Sequence, residues 1–140
     1  MGRVLAIDYG TKRTGIAVTD PLQMIATGLT TVRTHDIYEF LRDYLAKETV
    51  DVIVIGQAKT LRNEPSENQK FIDIFDKKFR KEFPSYPIVY IDERFTSSIA
   101  HQTVRDSGIG KKKRQNKEMI DTISATIILQ SYLEQKNSLL

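Results

Sequence analysis

The first third of the chain is a series of short apolar and β-forming runs separated by turn residues, after which helical and strand patterning alternate. Val4 to Asp8, Gly15 to Thr19 and Ile25 to Val32 read as strands, and the links between them hold Gly10 and the Asp20-Pro21 pair, which punctuate turns. An antiparallel meander is the economical reading. Ile37, Phe40, Leu41, Tyr44 and Leu45 then fall on one helical face, with Thr34 placed to cap its start. Asp51 to Gly56, DVIVIG, is apolar on both faces, as a central parallel strand covered from both sides must be. A second helix opens at Pro65-Ser66, where Ser66 and Gln69 have capping-box spacing and Phe71, Phe75 and Phe79 form the stripe to be buried. Pro87 to Glu93 is the last strand.

Two helices complete the pattern. Thr96 can cap one that carries Ile99, Ala100 and Val104 and stops at Gly108. The other runs from about Asn116 to Leu133 and is apolar around much of its circumference, so it is expected against the sheet. Between them, Gly108 to Gln115 has glycine, repeated lysine and no apolar anchor after Ile109, and is expected to be a mobile loop. A meander followed by right-handed crossovers predicts an α/β fold with a mixed five-stranded sheet, three antiparallel strands plus two parallel ones, and helices on both faces. That order of elements is the one found in ribonuclease H-like folds. No repeat or linker divides the chain, so residues 1–140 are expected to form a single domain.

Composition narrows the chemistry. At 140 residues, 40% hydrophobic and 28% charged, the chain has the make-up of an ordinary globular domain with a core. It contains no cysteine, so disulfides and thiolate metal sites are excluded and a metal would be held by oxygen or by the two histidines. The chain reaches a strand by Arg3 without a signal-peptide pattern and has no run long enough to span a bilayer, which predicts a cytoplasmic location. A formal charge of +3 leaves a nucleic-acid partner open. Its distribution says more: Lys111, Lys112, Lys113, Arg114 and Lys117 form one cluster, while Lys12, Arg13 and Arg94 each stand beside an acid.

Alternation along a strand puts Asp8 on the face of Val4 and Ala6, at the C-terminal strand end where open α/β sheets form ligand sites. Asp92 and Glu93 end another strand and point to opposite faces, so only one of them can readily join Asp8. Asp121 lies in the first turns of the last helix, and Ser124 and Ala125 share its face and are small enough for a close approach to the sheet. If Asp8, Glu93 and Asp121 meet, their mutual repulsion calls for a cation. Mg²⁺ is the natural one, being hard and oxygen-seeking, and two such ions roughly 4 Å apart would clamp the attacking and leaving oxygens of a phosphodiester. Structural readings stand beside these: a strand-end Asp as a turn former, Asp121 as a complement to the helix dipole, Asp92-Glu93-Arg94 as a surface ion-pair cluster, and the lysine run as a solvated loop. His35 and His101 lack metal-ligand spacing, and the aromatic residues fall on core faces without forming a stacking platform.

Three segments together resemble the YqgF (RuvX-like) family, described as Holliday junction resolvases and as nucleases for the 5′ end of pre-16S rRNA. They are IDYGTKRTGIAVTD from Ile7, DERFTS from Asp92, and KKKRQNKEMIDTISATIILQSYL from Lys111, and with them the resemblance covers essentially the whole chain. It implies a ribonuclease H-like fold and an acidic site in which Asp8, Glu93 and Asp121 bind Mg²⁺ or Mn²⁺ and carry catalysis. It also favours Glu93 over Asp92. The sequence departs from the family between Gly56 and Gln69, where Ala58 stands in place of a common proline.

The first expectation is therefore a metal-dependent endonuclease on nucleic acid, RNA ahead of branched DNA, acting on a ribosomal precursor particle. Lys12, Arg13, Arg94, Lys111, Lys112, Lys113 and Arg114 would hold the phosphate backbone, a contact that carries affinity with little sequence information. The alternatives are a Holliday junction resolvase and a non-catalytic nucleic-acid-binding factor in ribosome maturation or transcription. A third class takes DYGTKRTG as a phosphate turn of the actin and sugar-kinase type, but the chain is too short for the two domains that class pairs around a nucleotide.

Overall fold

The computed structural model describes residues 2–57, 68–92 and 115–138. Its elements are β1 (Arg3–Asp8), β2 (Arg13–Thr19), β3 (Ala26–Arg33), a 3-10 turn (Thr34–Asp36), α1 (Ile37–Lys47), β4 (Val50–Gln57), α2 (Gln69–Glu82), β5 (Ile88–Asp92) and α3 (Gln115–Ser138). The sheet runs in the order β3-β2-β1-β4-β5. The β1-β2 and β2-β3 pairs are antiparallel, and the β1-β4 and β4-β5 pairs are parallel. This is the expected meander with two parallel strands added, an α/β ribonuclease H-like arrangement.

Each face of the sheet has its own core. Leu5, Ile7, Ile16, Val18, Ile53 and Ile55 pack against Ile37 and Leu41 of α1 and Ile72, Phe75 and Phe79 of α2. Val4, Ala6, Ala17, Val54 and Ile91 pack against Ala125, Ile128 and Leu129 of α3. β4 feeds both, Ile53 and Ile55 to one side and Val54 to the other, which is why DVIVIG has no polar stripe. The β2-β3 link is built on Asp20, whose carboxylate accepts the backbone N–H groups of Leu22, Met24 and Ile25. Those bonds hold its carboxyl below the usual range, with Ile25 contributing most.

Two local expectations are corrected. Thr34 does not cap α1: it begins the 3-10 turn, and its hydroxyl is turned back to Gly10 and Thr14 instead. The buried stripe of α2 is Ile72, Phe75 and Phe79, while Phe71, at the edge of the same helix face, is 40% exposed. α2 begins at Gln69 with Asn68 at its cap position. Pro65, Ser66, the Thr96 helix and the Gly108 to Gln115 loop fall wholly or largely outside the described residues.

Candidate active site

Asp8 continues the row of Val4 and Ala6, both in the α3 core, so β1 delivers its carboxylate to the C-terminal rim of the sheet on the α3 face. Its partner in the antiparallel register is Gly15 of β2. Directly opposed residues point to the same side with Cβ positions about 5 Å apart, so any side chain at 15 would stand next to Asp8. Gly15 has none, and α3 takes the space: a Cβ there would lie 2.0 Å from the backbone oxygen of Asp121. The pairing of Asp8 with Gly15 and the seating of Asp121 on Gly15 bring two carboxylate residues to one rim of one face.

Small residues extend this contact. Gly28 of β3 lies under Thr122, where a Cβ would meet the Thr122 methyl at 2.6 Å. The Thr31 and Thr122 hydroxyls are 2.6 Å apart, and Ser124 and Ala125 are buried as expected. Asp121 also has a cation. Arg13 opens β2 on the side shared by Gly15 and Ala17, and its Nε donates to Asp121 Oδ2 at 2.8 Å, with the two side chains 36% and 21% exposed. Of the two cations after Asp8, Arg13 is thus the one directed to Asp121, and Lys12 is exposed in the turn.

That turn is braced from two directions. The Thr34 hydroxyl donates to the Gly10 carbonyl at 2.5 Å and lies 2.9 Å from the Thr14 hydroxyl, while its N–H donates to the Lys12 carbonyl at 3.0 Å. From α2, Asn68 Nδ2 donates to the Tyr9 carbonyl at 2.8 Å. Sequence reasoning missed both braces. Tyr9 itself turns to the other face, its ring 5.0 Å from that of Phe75, and burial pushes its phenol above the ordinary value. It stays protonated near neutral pH and offers no base.

Of the acids that end β5, Asp92 follows the alternation of Ile88 and Tyr90, which pack on the α1-α2 core, whereas Ile91 packs with α3. Asp92 therefore belongs to the face opposite Asp8. Glu93, Arg94, Lys111, Lys112, Lys113 and Arg114 lie outside the described residues. Among the described residues no three metal-ligating side chains come together. The donor chemistry of the pair fits a hard divalent cation, since Asp8 and Asp121 both offer carboxylate oxygens. His35 is exposed and pairs with Asp36.

The sheet order, with the last helix seated over the C-terminal strand rim that carries Asp8, is that of a ribonuclease H-like protein. The chain belongs to the RuvX family, whose model, described as "Holliday junction resolvase", matches residues 2–135. A Bacteroides thetaiotaomicron protein is 57% identical across 97% of this chain and 99% of its own. Relatives from Flavobacterium johnsoniae (97% of this chain, 99% of its own) and Porphyromonas gingivalis (96% and 97%) are each 54% identical. All three carry the name "Putative pre-16S rRNA nuclease". Among solved structures, YeaZ from Pseudomonas aeruginosa aligns over 77% of this chain and 50% of its own at 16% identity, with a TM-score of 0.47. No helix among the described residues is long and apolar enough to cross a membrane.

Proposed function

We propose that this chain, taken as one nuclease domain over residues 1–140, hydrolyses phosphodiester bonds at the 5′ end of pre-16S rRNA. The observation that carries the reading is the convergence of Asp8 and Asp121 through Gly15, supported by relatives named for that activity. Nucleases of this kind generally use a divalent metal, and Mg²⁺ or Mn²⁺ suits an all-oxygen donor set. Asp8 and Asp121 would hold it. Glu93 is the third ligand in this reading, because Asp92 is on the other face. When bound, the metal would supply water activation and charge stabilisation at the phosphate.

The protein's own groups do the positioning. Arg13 bonds Asp121 and presents a guanidinium suited to a phosphate oxygen. Thr34 and Asn68 fix the backbone of the turn after Asp8, so the first-strand acid and Arg13 keep their relative placement. Lys12, Arg94 and the basic run from Lys111 to Arg114 add backbone attraction. In the reaction a water oxygen bonds to phosphorus as the bond from phosphorus to the leaving ribose oxygen breaks, and that oxygen takes up a proton. The relatives are bacterial, and the cytoplasm and a ribosomal precursor particle are the proposed setting.

Two other readings have an observation behind them. The family description favours a branched-DNA substrate. The Arg13–Asp121 ion pair favours a binding factor whose helix acid is structural. One panel separates them: a precursor rRNA 5′ end, a single-stranded RNA and a four-way DNA junction, each in Mn²⁺ and in EDTA, with Asp8→Asn alongside. The nuclease reading predicts metal-dependent cleavage of the precursor RNA, reduced at least about 100-fold in the variant, the scale of losing one preorganised electrostatic group. Cleavage retained by Asp8→Asn sinks the site assignment. Cleavage of the junction alone transfers the activity to DNA, and binding without cleavage leaves the binding factor.

A further inference from the structure

The outward face of α2 combines charge and exposed apolar surface in a pattern that folding does not require. At about 100° per residue, Lys70, Ile74, Lys77 and Lys81 fall within an arc of about 60°, directed away from Ile72, Phe75 and Phe79. All four are exposed, Ile74 by 63%. On one flank Phe71 is 40% exposed with the Lys70 ammonium 5.3 Å from its ring, and the Lys78 ammonium lies 4.4 Å from the Tyr38 ring. Among the described residues none of these four lysines forms an ion pair. Two acids of α2 are paired with cations, Asp76 with Arg80 and Glu82 with Arg42 of α1, while Asp73 accepts from the Gln69 amide and leaves one exposed carboxylate at the edge of this face.

Two further features give this face a direction. Its upper end is joined to the candidate site, since Asn68 bonds the carbonyl of Tyr9, the residue after Asp8. Its neighbour on the same side of the sheet has opposite character: Asp36, Glu39 and Asp43 line a shallow pocket beside Phe40 at α1. A polyanion leaving the rim would be attracted along α2 and repelled from α1.

We propose that the outward face of α2 is a track for single-stranded RNA extending from the cleavage site, with phosphates on Lys70, Lys77 and Lys81 and a base stacked on Phe71. The track rests on the RNA-nuclease reading for its substrate. Lys70 to Lys81 span about 16 Å of helix axis, enough to follow several phosphates of one strand. An exposed ring at the site end is the feature that favours a single strand over a duplex, because only unpaired bases offer a face for stacking.

The test is equilibrium binding of a 5′-extended single-stranded RNA to the full chain carrying Asp8→Asn, titrated across salt concentrations. Adding Lys77→Ala and Lys81→Ala is expected to weaken binding about 10-fold near 0.1 M salt and to make the log–log salt slope shallower by about 1.4, the value for two lost phosphate contacts on a single strand. Phe71→Ala is expected to cost about another 5- to 10-fold and Phe71→Tyr to restore it. An unchanged thermal midpoint shows that the variants fold. Affinity and slope equal to the parent's overturn the track, as does a parent that binds no single-stranded RNA. If parent and variants differ as stated while the chain carrying Asp8 cleaves nothing, the track holds and the nuclease reading fails.

Discussion

The two faces of the sheet solve different problems with different residues. Toward α1 and α2 the contact is made by Ile, Leu and Phe, and four rings touch in series, Tyr9 on Phe75, Phe75 on Phe79, and Phe79 on Phe83. Toward α3 the sheet offers Gly15, Ala17 and Gly28, and the helix answers with Thr122, Ser124 and Ala125. Large side chains bury the most apolar area and hold elements apart; small ones give up area and let backbones meet. The acids lie on the second face. A carboxylate at the end of β1 can share a site with one on a helix only if the helix comes down to the strand, and Gly15 permits that.

Substitutions can break this division, beginning with the largest effect. Phe75→Ala, in the aromatic core, is expected to cost about 3–5 kcal/mol in chemical denaturation and to leave metal-dependent cleavage per folded molecule unchanged. A fall in specific activity would show that the two faces are coupled. Gly15→Ala is expected to cost about 1–3 kcal/mol, because its new Cβ meets backbone rather than a side-chain tip that can move aside. Cleavage should drop by more than the folded fraction does, since Asp121 is displaced from Asp8. Thr122→Val keeps the methyl against Gly28 and removes the hydroxyl paired with Thr31, for a stability loss of about 1 kcal/mol and little change in cleavage.

The sheet was legible because its signals are local and repeated: strand alternation, turn residues at Gly10 and Asp20, and an apolar run for the strand covered on both faces. The face on which Asp8 lies was legible for the same reason. Alternation put Asp8 with Val4 and Ala6, and small neighbours at Ser124 and Ala125 announced a close helix. What escaped depends on groups distant in sequence. Thr34 has the residue type and position of a cap, yet its hydroxyl is taken by Gly10, 24 residues earlier. Asn68 reaches Tyr9 across 59 residues. The choice between Lys12 and Arg13 was set by where β2 begins after the turn, which composition does not encode. Gly15 itself was read only as the start of a strand, and its role emerges once the register with Asp8 and the path of α3 are known.

The most direct test of the central claim, that Asp8 and Asp121 serve one site, is Mn²⁺ binding measured by calorimetry in a double-mutant cycle of Asp8→Asn and Asp121→Asn. If both carboxylates hold the same metal, each single substitution weakens binding and the double variant binds little worse than the weaker single one, the non-additivity expected of groups acting as a unit. Parental affinity in either single variant, or losses that simply add, would show that the two acids share a rim and no site.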